Sequence, residues 1–77
     1  RENNVFHPIA KGIEEYNLQI FNRWGVMVFE SNDLEVGWDG YYQGKLAQEG
    51  VYIYKVQGRF NNGNRFEKVG DFVLIRK

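Results

Sequence analysis

Side chains that could act as nucleophiles, acid–base catalysts or metal ligands are scarce in this chain of 77 residues. It contains no Cys and no Thr, and Ser31 is its only Ser, so hydroxyl and thiol nucleophiles are almost missing. His7 is the only imidazole, and one His without Cys or clustered carboxylates does not form a zinc site. The three Asp and seven Glu show no spacing that indicates the paired acids of a glycosidase. These counts predict a non-enzymatic protein with no cofactor and no small-molecule substrate.

Asp39, between Trp38 and Gly40, is the carboxylate with the most informative neighbours. This setting is typical of a turn in which the carboxylate accepts hydrogen bonds from nearby backbone N–H groups. A calcium site that uses Asp33 and Asp39 is the alternative, although the stretch lacks the oxygen-rich loop that calcium prefers. The glycines form no phosphate-binding pattern. We therefore predict no metal site and a structural role for Asp39.

Aromatic residues are abundant, with six Phe, five Tyr and two Trp. Because so small a domain must bury most of its large apolar side chains, most of them are expected in the core. Two tyrosine pairs, Tyr41-Tyr42 and Tyr52/Tyr54, could stack on sugar rings. Tyr52 and Tyr54 fall on one face of a predicted strand, which suits a core row as well as a sugar platform. Arg23-Trp24 lies at a tight turn, where the pair either locks the turn by stacking or presents an aromatic anchor to a protein partner.

Charge gives no indication of a nucleic-acid or membrane partner. Ten basic and ten acidic side chains give a formal net charge of zero, so the chain lacks the electrostatic footprint of a nucleic-acid-binding domain. No apolar run approaches the roughly 20 residues of a membrane span.

Short strands and turns account for the whole chain. Alternating apolar and polar residues predict strands, which we place at residues 16–20, 26–30, 41–45, 51–59 and 65–76, with an extended segment at 5–9. Asn22 to Gly25 and the Asn-Gly pair at 62–63 predict hairpins. Gly70, within the last strand, indicates a bulge or a close backbone approach. The prediction is a single all-β domain over residues 1–77, a small antiparallel β-sandwich of six to seven strands.

Several runs, taken together, resemble a known family. The most specific are Phe21-Asn22-Arg23-Trp24-Gly25, Trp38-Asp39-Gly40 and Gly50-Val51-Tyr52-Ile53-Tyr54, followed by Lys68-Val69-Gly70 and Val73-Leu74-Ile75-Arg76. In this order they resemble the gliding-motility-associated C-terminal domain, the type B sorting domain of the type IX secretion system in Bacteroidota. The resemblance covers residues 5–77, and it depends on the combination because each run alone is weak.

The resemblance implies an immunoglobulin-like sandwich at the C-terminus of a much larger secreted protein. The domain would act in the periplasm as the sorting signal that directs its cargo through the outer-membrane translocon to the cell surface or the medium. The implied partners are the type IX machinery and an outer-membrane partner protein. The family normally carries an acidic Pro-Asn-Gly-Asp-Gly stretch upstream of Asn3, so we expect the natural domain to begin slightly earlier. If the first residues of the natural domain are missing, some aromatic side chains lack the neighbours that would bury them. Self-association is therefore a further interaction to check.

Recognition of such a signal requires exposed, preformed features. The candidates are the unpaired backbone of edge strands, the Arg23-Trp24 tip and the basic end Arg76-Lys77. The remaining motif residues are expected to have structural roles, in turns or in the core: Asn22, Gly25, Trp38, Asp39, Gly40, Gly50, Tyr52, Tyr54 and Gly70. The alternatives to a sorting signal are a carbohydrate-binding module and a passive adhesive module of a surface protein.

Overall fold

The computed structural model describes residues 12–75, and every regular element in this range is a β-strand. The strands are β1 (Ile13–Phe21), β2 (Met27–Ser31), β3 (Tyr41–Tyr42), β4 (Lys45–Leu46), β5 (Gly50–Phe60) and β6 (Arg65–Leu74). The extended segment predicted at residues 5–9 lies outside the described residues, and so does His7. The all-β prediction is confirmed.

Strands β2, β1, β5 and β6 form, in this order, one antiparallel four-stranded sheet. Strands β3 and β4 form a separate two-stranded hairpin. The short strand predicted at residues 41–45 is therefore wrong in detail. Its centre is the hairpin turn, where Gln43 and Gly44 have positive φ angles of 54° and 80° and so cannot continue a strand.

The core lies on one face of the large sheet. Because side chains alternate along a strand, β1 places Tyr16, Leu18 and Ile20 on this face, and neighbouring strands add Tyr52, Val56 and Leu74. Trp38, from the connection between β2 and β3, lies over them with none of its surface exposed.

Trp38 ties the connecting segment to the sheet. Its ring centroid lies 5.1 Å from that of Tyr52 and 6.3 Å from that of Phe72. Its indole N–H donates a hydrogen bond of 2.9 Å to the carbonyl oxygen of Tyr41. The buried indole thus positions the β3–β4 hairpin beside the sheet.

Gly70 is a position of close approach. The β5–β6 register runs without a shift from Gly50↔Leu74 to Arg59↔Arg65, so no bulge forms at Gly70. A Cβ at Gly70 would lie 2.6 Å from the Tyr54 hydroxyl oxygen, so the ring of Tyr54 occupies the space that a side chain would need. Of the two readings from sequence, only the close approach matches this geometry.

A candidate partner-binding surface

The two ends of the large sheet differ in chemistry. We call residues 22–27, 41–53 and 71–75 the Trp24 end, and residues 12–17 and 57–67 the Arg59 end. The antiparallel register brings these segments together, because Phe21 pairs with Ile53 at one end and Ile13 pairs with Phe60 at the other.

Asn22 builds the turn that carries Trp24. Its side-chain oxygen accepts hydrogen bonds from the backbone N–H groups of Trp24 (2.9 Å) and Val26 (3.0 Å). Its own backbone N–H donates to the Val26 carbonyl at 2.9 Å, and Gly25 adopts a φ of 86° that favours glycine. The turn is therefore fixed by hydrogen bonds within residues 22–26.

Trp24 is stacked and exposed at the same time. The guanidinium carbon of Arg23 lies 4.6 Å from the centroid of the indole ring, which is within cation–π distance. Even so, 65% of Trp24 remains exposed. The two alternatives drawn from sequence are therefore compatible: stacking orders the ring, and the ring stays available as an anchor.

An open groove of about 310 Å³ runs beside Trp24, between the turn and the β3–β4 hairpin. Its apolar and aromatic lining residues are Trp24, Val28, Tyr42, Leu46, Ala47 and Tyr52. Leu46 is 57% exposed although it lies next to the core. Lys45 is the charged residue of the lining.

Two hydrogen bonds shape this groove. The Tyr52 hydroxyl donates to the Gln48 carbonyl at 2.7 Å, and the Ala47 N–H donates to the Gly40 carbonyl at 2.8 Å. The first fixes the segment that follows β4 against strand β5, and the second continues the β3–β4 pairing by one step beyond Tyr41↔Leu46. The wall opposite Trp24 is thus as well supported as Trp24 itself.

The Arg59 end satisfies its charges internally. The Arg59 guanidinium lies 3.1 Å from a Glu14 carboxylate oxygen and 2.9 Å from one of Glu15, while Arg65 lies 3.7 Å from Glu15. The hydrogen bond and positive charge of Arg59 lower the pKa of Glu15, and the same pairing raises the pKa of Arg59. Such exposed pairs contribute little to binding or stability.

The predicted site residues occupy different environments. Arg23, Trp24, Asn22 and Gly25 share one turn. Tyr52 is only 5% exposed and packs against Trp38, so it cannot form an open sugar platform. Arg76 and Lys77 lie outside the described residues.

Asp39 and Asp33 both hold turns. An Asp39 carboxylate oxygen accepts from the Tyr41 N–H at 3.0 Å, and one of Asp33 accepts from the Glu35 N–H at 2.8 Å. The φ angles of Gly40 and Gly50, 85° and 143°, lie in the range that favours glycine. Within residues 12–75, no group of three or more His, Cys, Asp or Glu side chains comes together as metal ligands. The described residues also include no helix with the length and apolarity needed to cross a bilayer.

Sequence reasoning missed the groove and an apolar patch on the outer face of the sheet. The exposure of Leu46 depends on how the β3–β4 hairpin packs, which no local sequence pattern indicates. The outer patch consists of Val51, Ile53, Val69 and Val73, all exposed. A signal was present, because β5 carries apolar residues at both odd and even positions where a half-buried strand would alternate.

Comparison with known proteins gives one family match. A family model described as CHU_C Type IX secretion signal domain matches residues 2–75. Neither the curated proteins nor the solved structures contain a match to the chain.

Proposed function

This chain belongs to the CHU_C type IX secretion signal domain family, and we propose that its Trp24 end is the surface that contacts the secretion machinery. The family is non-catalytic, and its domain directs the secretion of the cargo that carries it. Membership therefore implies an interaction with the type IX machinery and delivery of the cargo to the cell surface or the medium.

The single observation that carries the proposal is the ordered exposure of Trp24. A solvent-exposed indole is held by the Asn22 turn and by Arg23, beside a groove with an exposed Leu46. Aromatic anchors next to apolar pockets dominate the energetics of protein interfaces. Because the turn is preformed, little conformational entropy is lost when a partner binds it.

The finer features of the route are part of the same proposal. We infer passage through the periplasm, an outer-membrane protein as the immediate partner, and an immunoglobulin-like sandwich for the complete domain. Arg76 and Lys77 extend the Trp24 end in sequence, since they follow Ile75. Self-association through the outer patch is an additional interaction that size-exclusion chromatography would detect.

The test is secretion of a reporter. The complete chain is fused behind a fluorescent protein that carries a periplasmic leader, in a host with a type IX system. We expect the parent fusion to reach the medium and Trp24→Ala to weaken recognition roughly 30-fold, as for a hot-spot residue worth about 2 kcal/mol. Trp24→Phe should retain most of the secretion.

Arg65→Ala, at the Arg59 end, is the matched control because it also removes a large exposed side chain. It should leave secretion unchanged. Folding is checked independently: in Trp24→Ala the buried Trp38 is the one remaining Trp, so its blue-shifted emission reports the native core. Normal secretion of a folded Trp24→Ala fusion would refute the proposed surface.

The carbohydrate-binding alternative keeps only the Tyr41-Tyr42 pair, of which Tyr41 is 46% exposed. Its second candidate platform requires Tyr52 and Tyr54 to be open together. Tyr52 is buried against Trp38, and Tyr54 covers Gly70. No observation favours it over the sorting signal.

A further inference from the structure

Strand β6 forms one edge of the large sheet. Among the described residues it pairs with β5 alone, over ten consecutive register positions. The strand contains no Pro and no bulge. Within residues 12–75 the other edge of β6 is therefore long, regular and without a neighbouring strand.

The adjoining turn shows which residues of β6 direct their backbone groups to β5. The Phe60 N–H donates to the Asn64 carbonyl at 2.8 Å, so residues 60 and 64 form a hydrogen-bonded pair. Such pairs alternate with non-hydrogen-bonded pairs along an antiparallel ladder. The even residues 66–74 therefore direct their backbone groups to β5. The N–H and C=O groups of residues 67, 69, 71 and 73 point away from the sheet.

The opposite edge, β2, is protected by contrast. It has only five residues, and its register with β1 shifts at Ile20/Phe21. The Glu30 carboxylate on this strand accepts hydrogen bonds from Asn17 (3.0 Å) and Gln19 (3.3 Å). Short length, bulges and charged side chains are the usual protections of an edge strand. As far as the described strands go, the sheet thus protects one edge and leaves the other open.

The residues with outward backbone groups also carry an ordered set of side chains. Glu67, Val69, Asp71 and Val73 alternate acid and valine on the outer face. Val69 is 61% and Val73 59% exposed. Glu67 pairs with Lys55 at 3.4 Å, whereas Asp71 has no ion pair within residues 12–75. Among the residues that the structure describes, this edge therefore combines unpaired outward backbone groups, exposed valines and one carboxylate without an ion pair.

We infer that β6 binds an extended segment of the export machinery as an additional strand. Only an extended backbone supplies N–H and C=O groups at the spacing that residues 67–73 present. Cross-strand pairing then fixes the chemistry of that segment: apolar side chains opposite Val69 and Val73, and Lys or Arg opposite Asp71. This inference rests on the proposed function, because it names a second contact of the same signal with the same machinery.

Proline substitution distinguishes the free edge from the paired one. Val69→Pro removes an outward N–H that the β5 ladder does not use, and Pro is tolerated at such edge positions. We expect this variant to keep the native circular-dichroism spectrum of the unfused chain and to lower reporter secretion roughly tenfold. Lys68→Pro removes a ladder hydrogen bond to β5 and should lose the native spectrum. Val69→Thr keeps the N–H and should be secreted almost normally.

A charge reversal tests the same edge without a backbone change. Asp71→Lys should reduce secretion, because it places a positive charge opposite the basic residue of the added strand. Glu35→Lys is the control, since it makes the same charge change at an exposed position on the connection before Trp38.

The outcomes separate this inference from the proposed function. Normal secretion of both Val69→Pro and Asp71→Lys, with a native core, would overturn strand addition while leaving the Trp24 surface intact. If Val69→Pro does not fold, Asp71→Lys decides alone. Failure of the parent fusion to be secreted would instead contradict the proposed function.

Discussion

The Trp24 end and the Arg59 end belong to the same strands but use their side chains differently. At the Arg59 end, charged groups find partners within the domain, as Arg59 does with Glu14 and Glu15. At the Trp24 end, large apolar side chains such as Trp24, Leu46 and Val51 remain exposed. An exposed apolar surface lowers solubility unless something covers it, and no large apolar side chain of the Arg59 end is exposed, so this contrast points to recognition at the Trp24 end.

The comparison also separates rigidity from burial. Trp24 and Trp38 are both held by named contacts, Trp24 by Arg23 and the Asn22 turn and Trp38 by Tyr52 and Tyr41. Only Trp38 is buried. An ordered side chain that contributes little to the core is available for binding, and this distinction can be measured by stability experiments.

The largest expected effect is on stability, from Trp38→Ala. Removal of a fully buried indole leaves a cavity in the core beside Tyr52 and Phe72 and should cost about 3–5 kcal/mol, enough to unfold a domain of this size. Trp24→Ala should cost less than about 1 kcal/mol because the ring is largely exposed. Urea denaturation followed by circular dichroism measures both. Equal losses for the two variants would remove the distinction between an anchor and a core residue.

A smaller effect is expected from Tyr16→Phe at the Arg59 end. The buried Tyr16 hydroxyl has no hydrogen-bond partner among residues 12–75, and burial raises the pKa of this phenol. Loss of an unsatisfied polar group is neutral or favourable, so the variant should gain up to about 1 kcal/mol. Secretion should not change, because Tyr16 lies away from the Trp24 end. A clear loss of stability in denaturant would show that the hydroxyl has a partner in the folded protein.

The smallest expected effect is the pH dependence of the stability that the ion pairs of the Arg59 end contribute. The pKa of Glu15 is lowered in the folded state, so its pairing with Arg59 stabilises the domain above the ordinary carboxyl pKa of 4.5. That contribution is lost as the pH falls through the lowered pKa. Arg59→Gln should therefore slightly reduce the denaturation midpoint at pH 7 and leave it almost unchanged near pH 2. Both Glu side chains are exposed, so 1 M salt should remove most of the difference. A difference that persists at low pH would assign the effect to packing of the Arg59 stem.

Local patterns were sufficient to predict most of the large sheet. The alternation of Tyr16, Leu18 and Ile20 placed β1 and its buried face, and the Asn-Gly pair placed the β5–β6 turn. Strand ends were less accurate. Val26 was assigned to a strand, but its carbonyl accepts the Asn22 N–H and belongs to the turn, so β2 begins at Met27.

The candidate site was predictable only in part. Arg23-Trp24 stood out because a large aromatic residue at a turn tip needs an explanation. The groove did not, since it depends on where Trp38 anchors the β3–β4 hairpin, and that is a contact between distant parts of the chain. The position of β6 at an edge also depends on tertiary pairing, because the alternation of apolar and polar residues within one strand does not indicate its neighbours.

The most direct test compares the two ends in one secretion experiment. One fusion carries Trp24→Ala with Leu46→Ser, and the other carries Arg59→Gln with Arg65→Gln. Both variants are checked, as unfused chains, for the native circular-dichroism spectrum. We predict that the first accumulates inside the cell while the second is secreted like the parent fusion. Normal secretion of the first, or retention of the second with its core intact, would contradict recognition through the Trp24 end.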